Sequence, residues 1–565
     1  MKKNIDLTQL YKQKRYSEII YIIESEFSED EKNISIIYLL GLCRLLKNNR
    51  TIEDLFLAIK NFKTVFNNSE YNETSSRAFK NFIHGSVDLY DAKNSENYKE
   101  DVLDFFNEAL NFFNKNKSLF LNDELLVLAI IRIYKRLVDM ENVKFYLEEL
   151  IKRRHFRPLT LCSYIYNNCF FKEWSQDNFL KYGKILDQNL PSYNPKNLVT
   201  FSKNSKKKII VGFLSADIRQ SHSVTYFLKT VIDNYDKNIF SINLYLNFNK
   251  RQEDETTKYF IKKVDKADYI KHLNDEDVIN IIRKDEVDIF IDLMGVTSDS
   301  RLSLSKNRVA PAQILWCGYC NTTGIKEMDY IISDPNLILP SEKNSYLEKV
   351  IYLPKIWNCH PGFNMARSLD VPPFISNGFI TFGSFNNFSK INDNVVKTWS
   401  KILRSIKNSK LILKTSNRWS SNLLRDKFNQ ENVLSSVEFI QYEKNFESHL
   451  NLYKKIDIAL DTFPYNGVTT SFEAYWMNVP VLTMMGYNFN SRCGESINKN
   501  LSLEYLIAQN EEDYILKAKE LSFQTDKLVN LRKEIFENLS MSPLFDVNSF
   551  SNDFFNVLKK LKFNK

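Results

Sequence analysis

The stretch DTFPYNGVTTSFEAYWMNVPVLTMMG, residues 461–486, decides the fold class of the second half of the chain. Its pattern predicts a strand end, a turn containing Pro464, Asn466 and Gly467, a helix that opens with two threonines, and a short apolar strand over residues 479–484. In α/β proteins, a polar turn between a strand's carboxyl end and a helix N-terminus is a common phosphate site. The stretch therefore predicts a phosphorylated ligand.

Length, composition and charge bound the class of protein. A chain of 565 residues is too long for one hydrophobic core, which predicts two to four domains. With 43% hydrophobic and 26% charged residues, it has a globular composition and not a disordered one. The net charge of +8, from 77 basic and 69 acidic residues, fits a basic cleft for a phosphorylated ligand. It does not indicate a nucleic-acid binder.

Targeting and redox signals point to the cytoplasm. The N-terminal residues MKKNIDLTQLYKQKRYSEII lack the apolar core of a secretory signal. The longest apolar run, residues 125–131, is far shorter than the roughly 20 residues of a membrane helix. Seven widely spread cysteines, an odd number, argue against a disulfide framework. We therefore expect a soluble, cytoplasmic protein with no membrane span.

Residues 1–200 carry helical periodicity and almost no strand signal. Residues 39–66 read as two amphipathic helices joined by a polar turn, and similar segments cover 102–115, 124–140 and 142–153. Helix pairs of this length are typical of tetratricopeptide-type repeats, which stack with a concave binding face. We expect such a TPR-like region for substrate recognition. A plain helical bundle is the alternative, because the repeat consensus is poorly kept.

A charged linker at residues 202–210 leads into alternating short apolar runs and helix-length polar segments. Near-continuous apolar strands are typical of parallel sheets covered by helices on both faces. The pattern predicts two Rossmann-like lobes, over residues 207–370 and 371–545, that face one another across a ligand cleft, and a C-terminal helix over 546–565. The predicted strands are KIIVGFLSAD, FSINLYLNF, VDIFIDLMG, PAQILWCGY and DYIISDP, then FITFGSF, SKLILKT, VEFIQ, DIALDTF and VPVLTMM.

The helix start after the Asn466–Gly467 turn has two interpretations. The free N–H groups and partial positive charge of a helix N-terminus suit a diphosphate, and the hydroxyls of Thr469 and Thr470 add donors. Glu473 lies on the same helix face, where a carboxylate can accept bonds from ribose hydroxyls. Alternatively, Thr470 as N-cap and Glu473 at the third helical position form a simple capping box.

The loop SFNNFSKIND, residues 384–393, follows the first strand of the second series and contains Asn387 and Lys390. A lysine in such a strand-to-helix loop can neutralise a leaving diphosphate without a metal. A solvated loop lysine is the alternative, since that is the commoner location of a lysine. Asn392 or Asp393 is a candidate cap of the next helix.

The segment SADIRQSHSVTYFL ends the first strand of the first series and places Asp217 and His222 at the cleft. Histidine titrates near neutrality, so His222 can move protons or hold a phosphate oxygen. A structural histidine is the alternative.

The pair Cys317 and Cys320 forms a C-x-x-C motif, but the chain lacks a second pair to complete a zinc site. Cys359–His360 is the only Cys/His neighbour. We interpret these residues as packed side chains and expect no metal and no cofactor.

The order and spacing of these motifs resemble the catalytic region of O-linked N-acetylglucosamine transferases, including bacterial and SPINDLY-like members. The resemblance spans about residues 208–521, and a helical repeat region ahead of the catalytic part is also the family's arrangement. The matching motifs are VGFLSADIRQSHSVTYFL, RVAPAQILWCGYCNTTGIKEMDYIISDP, FGSFNNFSKI, HLNLYKKIDIALDTFPYNGVTTSFEAYWMNVPVLTMMG and SR at residues 491–492.

The resemblance implies a bacterial, metal-independent, inverting glycosyltransferase of the two-Rossmann (GT-B) fold. It implies transfer of N-acetylglucosamine from UDP-GlcNAc to serine or threonine hydroxyls of proteins. The site residues it implies are Lys390 at the diphosphate with Asn387 beside it, Gly467, Thr469 and Thr470 at the phosphate, Glu473 at the ribose, His449 near the nucleotide, and His222 as base or active-site contact.

Three departures from the family pattern cluster on the first lobe. Ser221 reads as a one-residue insertion before His222. Val296 stands where many relatives have histidine or tyrosine, and Cys320–Asn321 stand where Pro–Gly is usual. These changes leave the nucleotide lobe intact, so a nucleotide-sugar donor is better supported than N-acetylglucosamine in particular.

Several alternatives stay open at the sequence level. Related architectures use other donors, such as UDP-glucose or GDP-fucose, or transfer the sugar to asparagine. From another class, the chain is a protein-binding scaffold with an inactive transferase part. The sequence does not name the acceptor protein, for which flagellin or another surface protein is one candidate, and it does not decide between a monomer and a homo-oligomer.

Overall fold

The computed structural model describes residues 6–68, 72–92, 96–153, 156–193, 208–220, 222–415, 418–441, 443 and 445–561. The chain divides into two compact units, Met1–Arg154 and His155–Lys565. Most of the predicted linker at 202–210, and Ser221, lie outside the described residues.

The first unit is helical throughout its described part, as the sequence predicted. Helix α4, for example, begins where Thr51 accepts from the Asp54 N–H and the Asp54 carboxylate accepts in return. Its apolar side chains recur at helical spacing and are buried. The helices of this unit are Leu7–Lys12 (α1), Tyr16–Glu26 (α2), Ile34–Leu46 (α3), Ile52–Asn67 (α4), Glu73–Asp91 (α5), Lys99–Lys115 (α6), Lys117–Phe120 (α7), Glu124–Leu137 (α8) and Met140–Lys152 (α9).

Aromatic rings dominate the core of this unit. Phe66 of α4 packs at centroid distances of 5.1, 5.0 and 4.9 Å on Phe79, Phe82 and Phe112, which come from α5 and α6. Consecutive helices therefore share one core. A tetratricopeptide-type repeat remains a prediction.

The second unit holds two α/β lobes preceded by a helix pair. The pair is Pro158–Asn168 (α10) and Gln176–Asn189 (α11). The first lobe comprises Ile209–Ser215 (β1), Ser223–Asp233 (α12), Phe240–Leu246 (β2), Glu255–Lys263 (α13), Lys266–Tyr269 (β3), Asp275–Lys284 (α14), Ile289–Asp292 (β4), Leu302–Lys306 (α15), Ala312–Leu315 (β5), Tyr330–Ser333 (β6) and Lys349–Tyr352 (β7).

The second lobe follows directly and ends in three helices. It comprises Pro373–Asn377 (α16), Thr381–Ser384 (β8), Asp393–Ser405 (α17), Lys410–Thr415 (β9), Arg418–Gln430 (α18), Val437–Gln441 (β10), Phe446–Asn451 (α19), Ile458–Leu460 (β11), Thr469–Trp476 (α20), Val481–Met484 (β12), Cys493–Lys499 (α21), Ile507–Ala508 (β13), Glu511–Phe523 (α22), Thr525–Asn538 (α23) and Val547–Lys560 (α24).

Each lobe is built on a parallel sheet, which confirms the predicted fold class. The strand orders are β3-β2-β1-β4-β5-β6-β7 and β10-β9-β8-β11-β12-β13. In the second sheet the order reverses between β8 and β11, and in the first between β1 and β4. Such switch points open a crevice at the strand carboxyl ends, where α/β proteins bind ligands.

All ten predicted strands are present, and β3, β7 and β13 are additional. Strand β3 is partly exposed along its length and β7 is half-buried or exposed, because both lie at or beside a sheet edge. Their sequences, KADY and KVIY, therefore lack the continuous apolar run of a central strand. Strand β13 is only two residues long.

Helices α10 and α11 belong to the second unit, whereas the predicted helical region extended to residue 200. Gly183 of α11 lies so close to the first lobe that a Cβ there would stand 2.6 Å from the Thr323 carbonyl oxygen. The side chain of Gln176 donates to Asn321 of the same lobe at 2.8 Å. This close packing explains why the pair groups with the lobes.

The predicted C-terminal helix is α24, and it packs on the first lobe although it follows the second in the chain. Phe555 packs on Phe240 of β2 at 4.7 Å, and Phe554 packs on Trp316 at 4.7 Å. Ser551 donates to the Thr230 carbonyl at 3.0 Å. No helix in the described part of the chain combines the length and apolarity needed to cross a bilayer.

A buried carboxyl joins the two lobes and predicts a pH dependence. Asp334, after β6, accepts from Ser496 of α21 at 2.7 Å, and burial raises the pKa of Asp334 to about 7 from 3.8. The folded state therefore holds this proton more tightly than the unfolded chain, so its stabilising contribution is lost as the pH rises through about 7. We expect the unfolding temperature to fall as the pH rises from about 4 to about 7 and to level off above that.

Asp334→Asn should make that fall shallower. Asp526→Asn, at an exposed site on α23, is the matched control and should follow the wild-type profile. Thermal unfolding across this pH range is the measurement. An equally steep profile for Asp334→Asn would contradict the assignment.

Candidate functional site

The turn after β11 is held by one buried carboxylate. Asp461 accepts from the N–H groups of Gly467 at 2.7 Å and Thr462 at 2.9 Å, and from the Thr483 hydroxyl at 2.8 Å. Burial raises the pKa of Asp461 to about 6. A Cβ at Gly467 would press on Thr470 Oγ1 and stand 2.8 Å from Asn386 Oδ1, so this close approach requires glycine.

Helix α20 begins at Thr469, and the capping-box interpretation is wrong. Val468 is the N-cap, no side chain caps the helix, and Glu473 bonds elsewhere. The first N–H groups of a helix have no intrahelical partner, so those of Thr469 and Thr470 face out of the helix start. Within the described part of the chain, the buried Thr469 hydroxyl has no hydrogen-bond partner. The helix start thus presents donors for an anion.

The carboxylate of Glu473 is buried, and it contacts one residue of α19 and one residue of the turn that follows α19. Its Oε2 lies 3.0 Å from His449 Nε2 and accepts from the Tyr453 hydroxyl at 2.9 Å. Lys414 Nζ lies 3.3 Å from His449 Nδ1, and an ammonium can only donate. His449 Nδ1 is therefore the acceptor, and Nε2–H donates to Glu473. These contacts hold the carboxylate in one orientation on the helix face next to Thr470.

Lys390 points into the same crevice, and the solvated-lysine interpretation is wrong. Its half-buried side chain donates from Nζ to the Asn466 carbonyl at 2.7 Å and lies 4.3 Å above the ring of Tyr465. Burial lowers the pKa of Lys390, and the nearby Asp461 carboxylate opposes this shift. The crevice between β8 and β11 thus contains a positive charge next to the helix start.

The sequence analysis placed one asparagine, Asn387, beside Lys390, but two neighbouring asparagines make different contacts in this loop. Asn387 is exposed, and its side chain accepts from the Ser389 N–H at 3.0 Å, which caps a short 3₁₀ turn ending at Lys390. Asn386 is buried and accepts from the Thr470 hydroxyl at 3.0 Å. Asn386 is therefore the residue that joins the two loops of the crevice. Asn392 caps α17, as predicted.

Helix α10 and the residues after it support the crevice, which the sequence did not reveal. Tyr166 of α10 packs on Phe170 at 5.7 Å, and Phe170 packs on Tyr465 at 5.3 Å. Tyr465 in turn lies beneath Lys390. The residues of α10 carry an ordinary helical pattern, so no local signal marks them.

His222 lies on the first lobe, at the carboxyl end of β1. It is the N-cap of α12 and accepts from the Val224 N–H at 3.4 Å. Its Nε2 is 3.5 Å from Asp217 Oδ1. Burial lowers the pKa of His222, and the Asp217 carboxylate opposes this shift. In the described residues, no hydrogen bond or ion pair links His222 to the second lobe.

The other residues that the sequence analysis singled out are packed side chains. Val296 is buried, and Cys317 and Cys320 are free thiols, the second of them buried. His360 is fully buried among aromatic rings, and burial lowers its pKa to about 3. Across the described segments, no group of three or more His, Cys, Asp or Glu side chains is arranged to hold a metal.

Two parallel sheets within one unit, with a lysine and a helix start at the switch point of the second, define a GT-B-like protein with a candidate anion site. The model of glycosyl transferase family 41 matches residues 184–372 and 373–554, and the chain belongs to this family.

Named relatives agree with this assignment. The chain is 33% identical over 374 residues to the probable UDP-N-acetylglucosamine–peptide N-acetylglucosaminyltransferase SPINDLY of Solanum lycopersicum, covering 64% of this chain and 39% of that protein. Its identity to the Arabidopsis thaliana SPINDLY protein is 30% over 362 residues, covering 62% and 39%. The chain therefore spans about two fifths of the length of these relatives.

A solved structure has the same fold. A mutant of the Thermobaculum terrenum O-GlcNAc transferase superposes with a TM-score of 0.79 at 22% identity. The match covers 94% of this chain and 98% of that one.

Proposed function

We propose that this chain is a protein O-glycosyltransferase that moves N-acetylglucosamine from UDP-GlcNAc to serine or threonine hydroxyls. The observation that carries the proposal is the meeting of Lys390, the start of α20 and the Glu473–His449 pair at one switch point. Such a site offers positive charge and N–H donors to a diphosphate, and a carboxylate to a ribose. The names of the two SPINDLY relatives, which specify UDP-N-acetylglucosamine and a peptide, support the donor and the acceptor class.

Different residues of the site act on the leaving diphosphate and on the acceptor hydroxyl. As the bond from the sugar to the diphosphate breaks, Lys390 and the N–H groups of Thr469 and Thr470 stabilise the negative charge that develops on the diphosphate. Because these residues supply positive charge, the proposal requires no metal ion. The Glu473 carboxylate orients the nucleotide through its ribose.

The acceptor hydroxyl attacks the sugar from the face opposite the diphosphate, which inverts the anomeric centre. Its proton needs an acceptor. His222, next to Asp217 on the opposing lobe, is our candidate, since its lowered pKa keeps the imidazole neutral and able to accept.

The alternative functions differ from this proposal in the sugar donor or in the class of protein. UDP-glucose or GDP-fucose would use the same diphosphate contacts, and the Val296, Cys320 and Asn321 departures lie on the lobe that faces the sugar. An inactive scaffold would not need a half-buried lysine bonded to the turn that leads into α20, so the site favours an enzyme. The acceptor, flagellin included, remains a prediction.

Donor selectivity and transfer are tested separately. Thermal unfolding with UDP, GDP and their sugar derivatives should show the largest stabilisation with UDP-GlcNAc, since a ligand of the folded state raises its stability by mass action. Mass spectrometry of proteins co-expressed with the chain should then show a mass increase of one N-acetylhexosamine on serine or threonine. A hexose or deoxyhexose increment would assign another donor. No modification, with no UDP release from any UDP-sugar, would overturn the proposal.

A further inference from the structure

A chain of buried and half-buried amides crosses between the lobes and ends at the lysine of the candidate site. Gln176 of α11 donates from Nε2 to Asn321 Oδ1 at 2.8 Å, and Asn321 Nδ2 donates to Asn490 Oδ1 at 3.2 Å. The Asn490 carbonyl accepts from the Asn466 N–H at 3.4 Å, and the Asn466 carbonyl accepts from Lys390 Nζ. Asn321 is on the first lobe, and Asn490 and Asn466 are on the second.

The orientation of each amide follows from backbone partners. The Thr322 N–H donates to Asn321 Oδ1 at 2.8 Å, and an N–H can only donate, so this atom is the oxygen. The Asn321 amino group therefore faces Asn490, which must present its own oxygen. Gln176 also donates to the Ser345 carbonyl at 3.2 Å, so its amino group faces Asn321. The bridge has one consistent direction of donation from Gln176 to Asn490.

The bridge is not optimised for stability. Asn321 and Asn490 are buried, and within the described residues Asn490 Nδ2 and Gln176 Oε1 are buried without a partner. Unpaired buried polar atoms cost free energy, so apolar side chains of similar shape would stabilise the lobes better. A bridge with this cost fits a demand for orientation.

Asn466 transmits that orientation into the crevice. Its Oδ1 accepts from the Gly494 N–H at 3.1 Å, and its Nδ2 donates to the Thr462 carbonyl at 2.8 Å. Asn466 is thus bonded on every side, and a shift of the segment around Asn490 moves the carbonyl that holds Lys390. A continuous path of hydrogen bonds therefore runs from the first lobe to the lysine.

We propose that Asn321 is a positioning residue. Through Asn490 and Asn466, it fixes Lys390 only when the two lobes pack on one another as they do in this structure. The role of Lys390 in this inference rests on the proposed function. The bridge itself does not rest on the proposed function, because its effect on the exposure of Lys390 can be measured without any sugar transfer.

The first test measures the exposure of Lys390 directly. Acetic anhydride acetylates free amines, and peptide mass spectrometry gives the rate at each lysine. We expect acetylation of Lys390 to be several-fold faster in Asn321→Ala and Asn490→Ala than in the wild type. Acetylation of Lys397, an exposed lysine on α17, should not change.

The matched control is Asn500→Ala. Asn500 also joins the lobes, since its Nδ2 donates to the Lys355 carbonyl at 3.0 Å, but it does not contact Asn466 or Asn490. Its loss should leave Lys390 acetylation at the wild-type rate. An unchanged rate at Lys390 in Asn321→Ala, or an equal increase in Asn500→Ala, would overturn the inference.

The second test uses transfer. We expect kcat to fall about tenfold in Asn321→Ala and in Asn490→Ala with little change in UDP affinity, since the nucleotide contacts lie on the second lobe. Because both variants break the same bridge, Asn321→Ala/Asn490→Ala should be no slower than the slower single variant. Multiplicative losses, about a hundredfold together, would show independent effects and overturn the inference. Absence of transfer in the wild type would count against the proposed function, and the acetylation rates would still decide the bridge.

Discussion

Lys390→Ala is expected to lower kcat by about 10²–10³-fold, the loss typical when one preorganised donor to a developing oxyanion is removed. Nζ donates to the carbonyl of Asn466, in the turn that leads into α20, where the diphosphate would acquire charge as the sugar departs. The charge on the diphosphate grows towards the transition state, so the loss should be greater in kcat than in binding. Single-turnover transfer from UDP-GlcNAc is the measurement.

The unfolding temperature of Lys390→Ala distinguishes a loss of catalysis from misfolding. Burial lowers the pKa of Lys390, which means that the folded state holds the charged amine at a cost. Lys390→Ala should therefore unfold at the same temperature as the wild type or at a higher one. Lys397→Ala removes an exposed lysine from α17 and should transfer at the wild-type rate. Wild-type turnover in Lys390→Ala would refute the role given to this lysine.

Glu473→Ala is expected to weaken UDP binding about a hundredfold. A hydrogen bond to a charged group contributes about 1.5–3 kcal/mol, and about 1.4 kcal/mol is a factor of ten in affinity. The carboxylate would accept from ribose hydroxyls while His449 and Tyr453 hold it in place. Its loss also removes the acceptor of the buried His449 Nε2–H and leaves the Tyr453 hydroxyl only the Thr470 carbonyl at 3.2 Å, so the unfolding temperature should fall. Calorimetric titration with UDP measures the affinity.

Pyrophosphate provides the decisive comparison for this carboxylate. It has no ribose, so Glu473→Ala should bind pyrophosphate as well as the wild type, or better once a negative charge is removed. Glu447→Ala removes an exposed carboxylate from α19 and should bind UDP normally. If Glu473→Ala lost UDP and pyrophosphate equally, the carboxylate would support the fold of the site and not the ribose.

Local patterns in the sequence predicted the two-lobed fold and several residues of the crevice. The apolar strands and the turn at Asn466–Gly467 appear in consecutive residues, and backbone geometry then places their carboxyl ends at one edge of a sheet. Lys390 lies in the loop after such a strand, and Thr470 and Glu473 lie in the helix that follows another, so their positions near a switch point were predictable. Edge strands β3 and β7 were not, because exposure removes the apolar signal.

Only the tertiary structure decided which side chains meet. Asn386 and Asn387 are adjacent and chemically identical, but one is buried against Thr470 and the other caps a turn in solvent. The same holds for Glu473, whose spacing from Thr470 suits a capping box although its partners come from α19 and the turn after it.

The sequence by itself determined two Rossmann-like lobes and a phosphate-binding type of loop, since strand and helix periodicity and turn residues act over a few neighbours. The tertiary structure decided that α10 supports Lys390 through Tyr465, and that Asn321 reaches Asn490 across the lobes. These contacts join residues far apart in the chain, and hydrogen-bond direction and burial are set only when the lobes pack. No local pattern contains that information.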